Sequence, residues 1–383
     1  MDIINVKILN KYIKETLSQN RNLIIKTGDI EGYTPPSVLV GEYGYPHVSI
    51  GLLFSQENGA KLYDSPKEWV NKNYDVFKIF SLRNLLVNAR DRFSVKDVSN
   101  QKLENMRLAT IAKDEVAVKL EISKIHGPSS SFDNHYNISA DINNLKIKDD
   151  VRIEKPVEDV YYDMDLKATD AIVKLYESKI DENKINKMLS VGAIGINRKV
   201  VPTKWSITAV DDTIGKSLIK EIKDYDTGPP AVKHGGILGN MFTFLFLPGK
   251  WSFELIEAWN NQNKLFMGEG DYELYEGRKS YAKNTAGGYY AARLAVLEKL
   301  SEMKSQYSVI VVREITPEYA LPLGVWVVRE SARNALKGEL KYVDNVDTAI
   351  KAANGLLLYV KDVREHSKLL KILRNQRKLS EFI

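Results

Sequence analysis

The densest cluster of chemistry-bearing side chains lies between positions 198 and 212. Arg198, Lys199 and Lys204 supply cations, Trp205 an aromatic face, and Asp211 and Asp212 two adjacent carboxylates. Cations gathered at one strand end suit contact with phosphates or nucleic acid, because function at strand ends is a common arrangement in α/β folds. Adjacent carboxylates suit Mg²⁺, a hard ion that prefers oxygen ligands. The same residues fit a plainer description. The run Trp205 to Val210 reads as a buried strand, and Asp211 or Asp212 as the N-cap of a helix continuing through Ile222. Asp211 and Asp212 are thus the candidate catalytic pair of a metal-dependent enzyme acting on DNA or nucleotides. Arg198, Lys199, Lys204 and Trp205 are candidate nucleic-acid or phosphate contacts. Gly41 and Gly44 join them, since glycines in the turn-rich stretch Thr34 to Gly51 let backbone approach a ligand such as a phosphate. Their spacing is neither a Walker loop nor a Rossmann fingerprint. His47, beside Pro46, and His126 and His135 lack carboxylates at metal-site spacing, so no metal site is predicted from them. Arg83, Arg90 and Arg92 suit phosphate contact or a solvated face equally well.

A second stretch has recognition rather than reaction chemistry. Gln376 is followed at +3 by Leu379, at +6 by Phe382 and at +7 by Ile383. In a 3₁₀ turn, residues three apart eclipse, so Leu379 and Phe382 would project together with Ile383 beside them. Gln376 can both donate and accept next to that wedge. The pattern resembles the box by which replication and repair proteins dock on the DNA sliding clamp, PCNA. Ile383 stands where a second aromatic is usual; it fills a pocket but cannot stack. Residues 361–378 hold seven Lys or Arg against Asp362 and Glu365, which equals the formal net charge of +5 for all 383 residues. A neutral body with a basic arm suggests steering toward an acidic surface or phosphates rather than a general nucleic-acid coat.

The elements that must position these residues read as mixed α/β, or α+β. Two or three subdomains, a central mixed sheet and a flexible C-terminal peptide are expected. Hydrophobic content of 44% and charged content of 27% are ordinary for a globular chain. No stretch approaches the roughly 18 apolar residues of a membrane span. The N-terminus lacks the basic-then-apolar order of a secretion signal, so cytoplasmic residence is expected. The absence of cysteine excludes disulfides and thiolate metal sites. Residues 1–125 read as an N-terminal α/β region, opening with a helical pattern (Val6, Leu9, Ile13, Leu17). It contains a hairpin of two short apolar runs around the Gly- and Pro-rich turn at 41–46. Residues 125–150 read as a loop or junction and 151–345 as a central α/β core, with a helical pattern from Val157 to Leu189. In that core, Met241 to Leu247 and Trp251 to Trp259 flank Pro248-Gly249-Lys250 as a hairpin. A long helix is predicted from Tyr281 to Met303, a helix start at Thr316, a strand at Val325 to Val328 and a helix from Arg329 to Leu336. Residues 346–375 form a C-terminal helical segment interrupted by a strand at Leu356 to Val360, and 376–383 the clamp-binding tail.

Several of these stretches resemble one family. They are Pro35-Pro36-Ser37-Val38, Val40-Gly41, Gly44-Tyr45-Pro46, and the block Val201 to Asp212. Pro248 to Glu254, Gly287 to Arg293 and the terminal box complete the set. They are similar to the archaeal NreA family of DNA repair proteins. The resemblance implies a PCNA-dependent role in repairing damaged DNA, alongside excision-repair machinery, and supplies no catalytic mechanism. It departs at one point: the N-terminal cysteine cluster for zinc seen in many members has no counterpart here. The expectation is therefore a DNA repair factor in the DNA damage response, recruited to PCNA, with the enzyme at 198–212 as the alternative. Mg²⁺ enters only with that alternative, and no other cofactor is implied.

Overall fold

The computed structural model describes residues 26–97, 99–127, 138–261 and 264–375. Residues 1–25, His135 and the whole box Gln376, Leu379, Phe382 and Ile383 lie outside the described residues. The chain divides into two compact units, one running to Ile214 with Leu321–Leu323, the other comprising Gly215–Ala320 and the chain from Gly324 onward. Both units combine helices with a mixed sheet, so the fold is α+β. No helix among the described residues is long and apolar enough to cross a membrane.

In the first unit, β1 (Gly28–Thr34), β2 (Val38–Val40), β3 (His47–Phe54), β4 (Val87–Ser94), β5 (Val116–His126) and β6 (Ser139–Ile147) form one sheet. Its order is β1-β5-β6-β4-β3-β2. All neighbours are antiparallel except β4 and β6. The predicted hairpin around 41–46 is present as β2–β3, with Val40 opposite Ile50. The stretch 125–150, read as a loop, contains the whole of β6. Helices α1 (Pro66–Asn71), α2 (Val76–Arg83), α3 (Gln101–Ile111), α4 (Lys155–Tyr162), α5 (Ala168–Glu177) and α6 (Glu182–Ser190) complete the unit, the last three lying in the predicted helical region.

The boundary between units falls within α7 (Thr203–Ile222). Trp205 to Val210 is therefore helical, not a strand, and Asp211 and Asp212 lie in the helix interior rather than at its N-cap. The six residues have strand-like composition, but burial follows a longer period. Ser206, Val210, Asp211 and Ile214 are all buried, a spacing of three and four that puts them on one helical face.

In the second unit, β7 (Ala231–Ile237), β8 (Asn240–Leu247), β9 (Ser252–Asn261), β10 (Lys264–Met267), β11 (Asp271–Glu273), β12 (Ser308–Ile315) and β13 (Lys341–Tyr342) form the second sheet. Its order is β10-β9-β12-β8-β7-β13, with β11 on the edge of β9. The strands β8 and β9, expected as a hairpin across Pro248-Gly249, do not pair. Strand β12 lies between them, antiparallel to β8 and parallel to β9. The reason is burial on both faces. One face of the sheet packs Phe242, Phe244, Val309 and Val311 against α8 (Ala286–Met303) and α9 (Trp326–Ala335). The other packs Leu245, Leu247, Ile310 and Val312 against α10 (Val346–Asn354) and residues from Val360 to Leu370. Every residue of β12 is buried, the pattern of a central strand covered by helices on both sides.

Three smaller expectations change. Val325 to Val328 leads into and opens α9 rather than forming a strand, because Val328, Ala332 and Ala335 face the core at helical spacing. Thr316 accepts from the Tyr319 N–H in a turn and starts no helix. Leu356 to Val360 is not a strand, since the amides of Leu358, Tyr359 and Val360 donate to the Glu314 carboxylate. The chain then enters α11 (Val363–His366) and α12 (Lys368–Asn375).

Candidate nucleic-acid interface

Two stretches more than 150 positions apart meet at the β2–β3 turn of the first unit. The Thr203 hydroxyl, at the start of α7, accepts from the Val40 N–H at 2.8 Å and lies 3.0 Å from the Ser190 hydroxyl. Ser190 also donates to the carbonyl of Val201. The Val200 N–H donates to Val95, and the Val95 N–H donates to Pro46. These bonds seat the start of α7 beside the turn and bring 92–96 alongside both.

Glu42 then links the side chains. One carboxylate oxygen accepts from Lys204 Nζ at 3.3 Å and the other from Trp205 Nε1 at 3.2 Å. The Tyr45 and Trp205 rings lie 5.5 Å apart at 42°. Tyr43 is 92% exposed, Tyr45 54% and Trp205 47%. The turn needs its glycine. Gly44 has φ +84°, and a Cβ there would lie 2.5 Å from Arg92 Nη2, which donates to the His47 carbonyl. The Tyr45–Pro46 peptide is cis. Gly41 is different: a Cβ would meet only ordinary contacts with Ser49.

Of the residues singled out in the sequence, Gly41, Gly44, Lys204 and Trp205 thus come together, with Lys199 exposed on the approach to α7. Arg198 is placed differently. It is buried at φ +45°, and its guanidinium donates to the carbonyls of Ala193 and Tyr161 while lying 5.0 Å above the Tyr161 ring. Asp211 is fully buried and Asp212 half-buried within α7. Among the described residues no group of three or more His, Asp or Glu side chains is gathered as a metal site. His47 is exposed next to Pro46, and His126 Nε2 lies 2.7 Å from Asp141, which also accepts from Arg90. Burial opposes the charge on Asp141, but His126 and Arg90 outweigh it and hold the carboxyl below its usual value. Arg83 is buried on α2 and Arg92 exposed on β4.

Tyr43, Tyr45, Glu42 and Lys96 were not singled out in the sequence, although the signal was there. In Glu42-Tyr43-Gly44-Tyr45-Pro46 two aromatics flank a turn glycine, where no core face requires them.

Similarity to known proteins runs along nearly the whole chain. Residues 7–264 match the model for the archaeal Nre N-terminal region, and residues 273–382 the model for the archaeal Nre C-terminal region. The chain is 37% identical over 336 residues to the DNA repair protein NreA of Archaeoglobus fulgidus, covering 84% of this chain and 83% of the relative. It is 35% identical over 336 residues to the DNA repair protein NreB of the same organism, covering 84% of each. With the DNA repair protein NreA of Haloferax volcanii the identity is 31% over 382 residues, covering 93% of this chain and 90% of the relative. No solved structure matches the chain. With both regional models matched in order, the chain belongs to the archaeal Nre family.

Proposed function

We propose that this protein is a DNA repair factor brought to DNA by docking its C-terminal residues on the sliding clamp PCNA. The repair role is supported by the relatives named DNA repair proteins, which align over 84–93% of the chain. The docking role is supported by the spacing of Gln376, Leu379, Phe382 and Ile383. The observation that carries it is the continuity of an anchored helix with that box. Glu254, buried on β9, accepts from the Ser367 hydroxyl and from the Lys368 and Leu369 amides at 2.8 and 3.1 Å. A carboxylate so placed caps the start of α12 and satisfies amides that lack intrahelical partners. Leu369 and Leu370 are buried on the same side. α12 is described as far as Asn375, and Gln376 follows it directly in the sequence. A wedge delivered by a fixed helix loses less orientational freedom on docking than one on a free coil.

Calorimetric titration of the clamp into the full chain tests this. Leu379→Ala with Phe382→Ala should abolish measurable binding and leave the thermal melt unchanged, because the buried face of α12 is made by Leu369 and Leu370. Unchanged affinity in the double variant would overturn the proposal.

A further inference from the structure

We propose that the surface formed by Tyr43, Tyr45 and Trp205, with Arg92, Lys96, Lys199 and Lys204 around it, binds the unpaired bases of single-stranded DNA. The choice of DNA rests on the repair reading above, whereas the surface itself does not depend on clamp docking. Three large aromatic side chains stand in water within one small region, on a turn and a helix start that hydrogen bonds hold rigidly. At 5.5 Å the Tyr45 and Trp205 rings are too close to admit a base between them. Each keeps about half its surface open, and Tyr43 nearly all of it, so bases would stack on outer faces. Aromatic platforms of this kind accept any base, because every base presents a π-face.

The surrounding charge is of the matching sign. Arg92, Lys96, Lys199 and Lys204 are all exposed. Glu42 partly neutralises Lys204. Lys96 and Lys199 form no ion pair among the described residues and lie on segments joined by the Val95–Val200 bond. Cations flanking aromatic rings are what a strand with splayed bases requires, phosphates on one side and ring faces on the other. A duplex would offer the phosphates but keep its base faces stacked, leaving Tyr43 and Trp205 without a partner.

The experiment is fluorescence anisotropy of the full chain with a labelled 20-residue oligodeoxythymidine and with a duplex of equal length, at two salt concentrations. The single strand should bind at least about tenfold more tightly, with a log–log salt slope near −2 if about three phosphates are contacted. Trp205→Ala and, separately, Tyr43→Ala should each weaken it about tenfold. Trp205→Phe should restore most of the loss through its ring. Tyr43 has so little contact with the fold that its variant reports on binding even where the Trp205 variant is destabilised. Lys96→Glu with Lys199→Glu should flatten the salt slope. The Leu379→Ala, Phe382→Ala chain should bind the oligonucleotide normally, and Tyr43→Ala should titrate the clamp normally, which separates failure here from failure of the docking proposal. Equal affinity for duplex and single strand, tighter binding of an oligoribonucleotide, or indifference to Tyr43→Ala would each overturn the assignment.

Discussion

Asp64 closes the 3₁₀ turn Ala60–Asp64 with a carboxylate largely shielded from water, and two helices and the link between β1 and β2 converge on it. Lys187 of α6 donates to it at 2.6 Å, the Ser37 hydroxyl donates to the same oxygen, and Arg83 of α2 lies at 3.8 Å. Burial alone would push this carboxyl up; Lys187 and Arg83 outweigh that and hold it well below the usual range. Asp64→Asn would leave two largely buried cations without their counter-charge, so a loss of about 3–5 kcal/mol is expected in denaturant titration. The pH dependence has a definite sign. An unfolded aspartate titrates near about 3.9, and folded Asp64 stays charged well below that. Its stabilisation is therefore fully present above about pH 5 and is lost as the pH falls toward the folded value. The Asn variant should show a shallower fall in melting temperature between about pH 5 and pH 3 than the parent. Arg83 and Arg198 were both legible as basic residues suited to phosphate. Their burial was not, because it is decided by which helices close over them, and that depends on residues far away in the chain.

At the level of elements, period was legible where it ran long. The helices between Val157 and Leu189 follow from their helical pattern, and the β2–β3 hairpin from its Gly- and Pro-rich turn between short apolar runs. α8 was legible as a long helix although it starts at Ala286 rather than Tyr281. Short apolar runs misled, because four to six β-branched and aromatic residues look alike in a buried strand and on the packed side of a helix. Trp205 to Val210 and Val325 to Val328 both fell that way. The β8–β9 hairpin failed for another reason: Pro-Gly turns imply adjacency only if no third strand enters, and β12 arrives from more than 50 positions downstream. Leu356 to Val360 shows a side chain doing the work of a neighbouring strand, its amides satisfied by Glu314. Glu254 does the same for α12, although burial pushes its carboxyl up and the donors from 367–369 offset that only in part. Glu254→Ala should leave those buried donors unsatisfied, at a cost of about 1–3 kcal/mol. The loss should be local: hydrogen exchange should accelerate across Ser367 to Leu373, with β12 amides still protected. Uniform acceleration across the second sheet would show instead that the carboxylate supports the whole unit.

For the whole molecule, composition located the charge and the fold determines what the charge can do. Lys361, Arg364, Lys368, Lys371 and Arg374 are exposed, while Leu369 and Leu370 turn inward. Their ion pairs are with exposed or half-exposed carboxylates, such as Arg374 with Asp347 at 3.7 Å and Lys368 with Glu269 at 3.4 Å. Pairs of that kind contribute about 0–1 kcal/mol to stability, so these cations are nearly neutral for folding and available for attraction at a distance. That attraction is screened over about 8 Å at physiological ionic strength. Under the docking proposed above, clamp association should therefore slow as salt rises, and dissociation, assigned there to the apolar wedge, should change little. Lys361→Glu with Arg374→Glu reverses two charges without touching the buried side of α12. At low salt this variant should associate with the clamp about tenfold more slowly than the parent, with the two converging at about 0.5 M salt and both melting at the same temperature. Stopped-flow association rates across a salt series measure this directly. Rates that ignore salt would separate the basic helix from docking and leave the wedge to act alone.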